Sequence, residues 1–175
     1  NIFTYGADFT YSNDHLESDN LNDALRARGV TSTVRALHAY DVNLTVGGPV
    51  KKDKVWFFTA TRFTGTKQDL PGVFVNKTQG TPFYTPDIGQ PGFAKDWLQS
   101  QAVRMTWQVS PRNKINGFAD PQSYQTRGQN TANDPTANTC WNMWPQGLYQ
   151  GTGSSPVTSR FLLEVGASLV KNPFP

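Results

Sequence analysis

The stretch Tyr40-Asp41-Val42-Asn43-Leu44-Thr45-Val46-Gly47 alternates apolar and polar residues without a break. So does the run from Ala102 to Val109, where Ala102, Arg104, Thr106 and Gln108 interleave with Val103, Met105, Trp107 and Val109. Successive strand residues point to opposite faces, so each stretch has one greasy side and one wet side. Two architectures accept such strands. One is a soluble sheet with a single buried face, and the other is a membrane barrel with lipid outside and water inside.

Working outward from these runs, the pattern predicts an antiparallel meander of about six strands. The first runs from Phe3 to Tyr11, with Phe3, Tyr5, Ala7, Phe9 and Tyr11 on one face. A long polar segment follows, in which Leu21 to Arg28 suits one or two helical turns capped by Asp19 or Asn20. The second strand is Tyr40 to Val46. Gly47-Gly48-Pro49 and Lys51 to Lys54 then form a short connection, glycine supplying unusual backbone angles and Pro49 marking a strand end. The third strand starts at Val55, with Trp56, Phe58, Ala60 and Arg62 on one side and Phe57 breaking the alternation. Directed outward, Arg62 would reach a headgroup region. A second long loop is expected from about Gly65 to Ser100, with three prolines and one glycine in Thr81 to Pro91. After strand four come a short turn, Ser110 to Lys114, and strand five, Ile115 to Asp120, with Phe118 on its polar side. A third long loop, Gln122 to Ser159, leads to strand six, Arg160 to Val170.

The connections therefore read long, short, long, short, long. Outer-membrane barrels have short turns on the periplasmic rim and long loops on the other. Three hairpins place both chain ends at the short-turn rim. Phe3, Trp56 and Trp107 fall toward that rim, and Tyr11, Tyr40 and Phe63 toward the other, as two interfacial girdles would. Such barrels need about eight strands or more, so six strands read as a piece of a larger barrel. The chain opens inside a strand and carries no signal peptide, and its last residues read as a turn leading onward.

Composition agrees. In 175 residues, apolar content is 37% and charged content 17%, against about 45–50% and about 25% in ordinary globular chains. Mean hydropathy is −0.53. Aromatic content of 13% is too high for a disordered chain. The net charge of +3 comes from scattered basic residues, without the compact stripe a nucleic-acid binder needs, so no nucleic acid is expected as a partner. The single Cys140 allows no internal disulfide, and no apolar run suits a membrane helix.

No catalytic constellation is present, and no enzyme activity, cofactor or metal is expected. His15 and His38 lie in the first long loop without metal-ligand spacing. Asp14, Glu17, Asp19 and Asp23 form an acidic cluster that lacks the calcium-loop register, and it reads as a solvated face. Gly47-Gly48 lacks the Lys-Ser/Thr of a phosphate loop. Trp141, Met143 and Trp144 are the loop residues best suited to contact a ligand, although they equally suit packing a loop shut.

The run Tyr40 to Phe58, with its Gly47-Gly48-Pro49 turn, Lys51-Lys52-Asp53-Lys54 hairpin and Trp56-Phe57-Phe58 restart, resembles a signature of TonB-dependent receptors, in particular the Oar-like branch. Arg104 to Lys114 is similar to the next hairpin of those barrels, and Asn1 to Tyr11 to the strand that enters the barrel after the plug. The resemblance implies an outer-membrane barrel of about 22 strands in a Gram-negative bacterium. An N-terminal plug would fill it, and the TonB–ExbB–ExbD complex would drive import of a bulky ligand. This chain would supply barrel wall in contact with outer-membrane lipid and with the rest of the barrel. The polar residues Asp41, Asn43, Thr45, Arg104, Thr106, Gln108, Asn116 and Glu164 would face lumen or plug. Rival readings are a structural or adhesive surface protein and a soluble β-sandwich that binds carbohydrate through Trp141 and Trp144.

Overall fold

Turns, not core packing, set the order of this chain. The computed structural model describes residues 2–18, 20–128, 135, 137 and 140–173. Seven antiparallel strands form one sheet in strict sequence order, β1-β2-β3-β4-β5-β6-β7. They are β1 (Thr4–Asn13), β2 (Ala36–Lys51), β3 (Val55–Asn76), β4 (Pro86–Gln108), β5 (Lys114–Arg127), β6 (Cys140–Thr158) and β7 (Phe161–Lys171). A single helix, α1 (Asp23–Ala27), lies between β1 and β2. Its cap is Asn22, whose side chain accepts from the Leu25 amide at 3.0 Å, two or three residues later than Asn20 or Asp19.

The all-β antiparallel meander is as expected, but its count is seven. The additional strand is β6, which occupies most of the segment read as the third long loop. Its apolar-face positions are Gly147, Tyr149, Gly151 and Gly153, so no apolar period marks it. The third connection on the short-turn rim is consequently the tight step from Thr158 to Phe161. An odd strand count also separates the chain ends: β1 starts at the short-turn rim, whereas β7 runs away from it.

The second long loop is also mostly strand. β3 and β4 pair from Val55↔Trp107 to Asn76↔Pro86, and only residues 77–85 turn between them. The prolines and glycines that suggested a loop gather where the register shifts, between Asp69 and Phe74 and again before Val75. Bulges are where a ladder tolerates proline. At 22 and 23 residues these strands outrun their neighbours, since β2 pairs with β3 only as far as Gln68 and β5 with β4 only from Lys95, so the upper part of this hairpin projects beyond the adjoining strands.

The first short turn is tighter than its sequence suggests. Gly47, Gly48 and Pro49 belong to β2, and only residues 52–54 turn, with Asp53 at a positive φ of 59°. Gly48 supplies room, not unusual angles: a Cβ there would lie 2.5 Å from the Phe3 ring. Gly65 plays the same part under Tyr40, where a Cβ would lie 2.8–2.9 Å from the ring and its hydroxyl.

The sheet is one layer and is not closed. β1 and β7 are its two edges. Among the described residues Leu70 is the only buried apolar side chain. Large apolar residues such as Tyr5 (89% exposed), Val165 (64%) and Trp107 (50%) have no second layer over them. A sandwich needs two sheets packed about 10 Å apart. This chain has one.

Candidate functional site: the two faces of the sheet

Register decides which residues share a face, because directly opposed residues project to the same side. One continuous row runs Tyr5↔Val46↔Thr59↔Val103↔Ala119↔Tyr149↔Leu169. The side it marks also carries Phe9, Val42, Phe63, Met105, Ile115 and Leu163, and is the apolar face. Phe57 sits there opposite Met105, so it continues the apolar face and does not break it.

The opposite side is polar. Asn43 opposes Arg62, Thr106 opposes Asn116, Gln108 opposes Lys114, and Ser154 opposes Glu164. All eight predicted polar-face residues, Asp41, Asn43, Thr45, Arg104, Thr106, Gln108, Asn116 and Glu164, lie on this one side. Phe118 joins them opposite Arg104, as its position in β5 indicates.

Three aromatic or basic residues take the side opposite to expectation. Trp56 opposes Pro49 and Thr106, Phe58 opposes Gly47 and Arg104, and Arg62 opposes Asn43 and Ser100. Arg62 therefore cannot reach a headgroup layer beyond the apolar face. Its Nη2 donates to Asp41 Oδ2 at 2.6 Å and its Nε to Asp41 Oδ1 at 3.0 Å, a two-point ion pair. Asn43 Nδ2 donates to the same carboxylate at 3.0 Å. The short turn carries only part of that signal. Counting back from residues 52–54 alone would set Asn43 opposite Phe63, and the register shift between Pro49 and Lys51 moves it opposite Arg62.

A second cluster centres on Asp120, which accepts from Ser100 Oγ at 2.7 Å and from Gln122 Nε2 at 2.6 Å. A third chain runs across three strands: Thr106 Oγ1 donates to Asn116 Oδ1 at 2.9 Å, and Asn116 Nδ2 to Thr152 Oγ1 at 3.2 Å. Cross-strand hydrogen bonds and ion pairs of this type stiffen a sheet laterally. The chemistry is that of a polar wall. Among the described residues, none of these hydrogen-bonded clusters pairs a nucleophile with a histidine base.

Trp141, Met143 and Trp144 do not form one site. Trp141 opposes Thr126 and Met143 opposes Tyr124, both on the polar face. Trp144 lines a shallow depression of about 360 Å³ on the other face with Trp97, Gln99, Ser123 and Asn142. The register shift between Gln122 and Tyr124 turns Trp144 to that side.

A larger cleft, about 990 Å³, lies between the first long connection and the projecting part of β3. Several of its charged groups are already engaged, with one another or with backbone amides. Arg35 Nη2 donates to Asp14 Oδ2 at 2.8 Å, Glu17 accepts from the Ala36 amide at 3.1 Å, and Asp69 Oδ1 accepts from the Arg35 amide at 2.6 Å. Leu70 is buried against this cleft. The acidic cluster is thus a loop clasp, apart from Asp19, which lies outside the described residues, and Asp23, in the first turn of α1. His15 is exposed beside Asp14, and His38 lies within β2, stacked on Tyr40 at 6.3 Å, not in the loop. Among the described residues no three His, Cys, Asp or Glu side chains gather as a metal site.

No family model, curated protein or solved structure matches the chain.

Proposed function

We propose that this chain is wall from a transmembrane β-barrel of the outer membrane, a TonB-dependent receptor of the Oar-like kind that imports a bulky solute. The observation that carries this reading is the slant of the apolar band. On β1 the five apolar-face residues run from Phe3 to Tyr11, centred on Ala7, two residues above the row through Tyr5. On β7 they run from Phe161 to Leu169, centred on Val165, four residues below the same row at Leu169. The band therefore slips six residues in six strand-to-strand steps, one residue per strand.

With a rise of about 3.3 Å per residue and strands about 4.8 Å apart, that slip corresponds to strands tilted about 35° from the normal to the band. Membrane barrels tilt their strands by about 35–45°. That figure is an average between the two ends of the sheet, and a planar sheet resting on a soluble core has no reason to offset its apolar residues in this way. The polar face then belongs to the interior, where Arg104 and Glu164 are available to a plug or to solvent. The tight rim corresponds to the periplasm, and the projecting β3–β4 hairpin to the outside, where ligand capture takes place.

Cysteine accessibility tests this. In a Cys140→Ser background, single cysteines at Val46, Met105 and Val165 are expected to resist a membrane-impermeant maleimide in lipid vesicles. Cysteines at Lys52 and Gly80, in the turns, are expected to react quickly. Rapid labelling at Val46, Met105 and Val165 sinks the reading.

A further inference from the structure

The apolar face ends upward in a basic row. His38 opposes Lys67, Lys67 opposes Lys95, and Lys95 opposes Arg127, on four consecutive strands. Like charges directly opposed across a ladder destabilise it. Here three permanent cations stand side by side, and among the described residues none has a carboxylate in ion-pair range. Phe93 holds two of them in place: Lys67 Nζ lies 4.5 Å and the Arg127 guanidinium 5.6 Å from its ring centroid. Immediately below runs an aromatic and amide row, Tyr40, Gly65, Trp97 and Gln125, in which Trp97 Nε1 donates to Gln125 Oε1 at 2.8 Å.

We infer that Lys67, Lys95 and Arg127 form a binding site for the phosphate of an anionic lipid in the leaflet on the long-connection side. This rests on the barrel reading, which makes the apolar face the lipid-facing one. Depth supports the assignment. Lys67 is eight residues along β3 from Thr59, which lies mid-band, or about 21 Å along the membrane normal at about 3.3 Å per residue and the tilt derived above. Half of an apolar band about 25 Å tall is about 12 Å, which puts the Lys67 backbone about 9 Å past the hydrocarbon edge, with Lys95 and Arg127 about 3 Å further out per strand on the same slant. Lysine and arginine side chains reach several ångströms back toward the interface. A phosphate there would neutralise the row from outside the sheet while the acyl chains lie on Val42, Phe63 and the band beneath.

The test follows tryptophan emission of the detergent-solubilised protein during titration with dibrominated phosphatidic acid and, separately, dibrominated phosphatidylcholine. Both are expected to quench, because Trp107 lies in the apolar band. Phosphatidic acid is expected to act at roughly fivefold lower concentration, a preference that fades at high salt. Lys67→Gln/Lys95→Gln/Arg127→Gln is expected to abolish the preference and keep the quenching by phosphatidylcholine, and Lys95→Gln alone to weaken it. Lys51→Gln/Lys52→Gln, in the opposite rim, is expected to keep both. Equal potency of the two lipids, or a preference that survives in the triple variant, overturns the lipid site and leaves the barrel standing. Loss of the preference in millimolar inorganic phosphate reassigns the row to a soluble anion and also overturns it. Quenching by neither lipid overturns the barrel reading itself.

Discussion

At Gly65 the absence of a side chain is what lets Tyr40 lie flat across the strand. A methyl group there would sit 2.8–2.9 Å from the Tyr40 ring and hydroxyl. Gly65→Ala is therefore expected to destabilise the folded sheet by about 1–3 kcal/mol, the usual range for overpacking. Tyr40→Ala removes the clash, so in a double-mutant cycle the penalty of Gly65→Ala is expected to shrink sharply. Urea unfolding of the lipid-inserted protein measures both. Asp41 and Arg62 offer a second cycle. Asp41→Asn and Arg62→Gln together are expected to cost no more than either alone, with the coupling reduced by salt. Fully additive losses would mean that the two-point pair contributes nothing. This pair also shows where residue-level reading stops: Arg62 was visible as a basic residue near a strand end, but its partner depends on the register set by the bulge between Pro49 and Lys51.

Among the elements, legibility follows the apolar band. β2 and β4 announce themselves because one of their faces is apolar and the other polar, and β1, β5 and β7 follow the same rule. Beyond the apolar band neither face is consistently apolar, so the period disappears, and the upper halves of β3 and β4 read as loop. β6 is hidden for a different reason, since glycines stand at Gly147, Gly151 and Gly153 where large apolar residues would mark the period. That assignment has its own test. Tyr149→Arg, on the apolar face of β6, is expected to cost about 2–4 kcal/mol if it lies near mid-membrane, whereas Gln150→Arg on the polar face is expected to change little. Equal tolerance at the two positions would return this segment to the status of a loop. The split of Trp141 and Met143 from Trp144 belongs to the same scale, because a single register shift at Gln122/Tyr124 decides it.

The whole molecule is a curtain with two open hems and no core. Its all-β class, antiparallel order and two-faced character were written in the alternation, and all eight polar-face residues were placed on a common side by that alternation alone. The basic row was not, because Lys67, Lys95 and Arg127 are far apart in sequence and become neighbours only through the length of the projecting hairpin. Both edges, β1 and β7, leave backbone donors and acceptors unpaired along one side. Exposed edges with apolar side chains invite pairing with other chains. The 175-residue chain taken alone in detergent is thus expected to form concentration-dependent oligomers, read by light scattering. Covering one edge by introducing proline at Val165 and Ala167 on β7 is expected to reduce them, and a strictly monomeric parent chain at all concentrations would refute this.

The hairpin of β3 and β4 has one more consequence. From Phe63, in the apolar band, to Asn76 is thirteen residues of nearly extended chain, roughly 35–45 Å of mast. Its tip is closed from below by Asn76, whose Oδ1 accepts from the Thr78 amide at 3.1 Å and the Thr85 amide at 2.8 Å. Whatever is spliced between Gly80 and Thr81 would therefore ride above a sealed turn without pulling on the ladder, and Phe83, 72% exposed, already stands in that position. If the barrel reading holds, the tip is a display platform: an epitope inserted there should be readable by antibody on intact cells, in a place where the rest of the sheet stays out of reach.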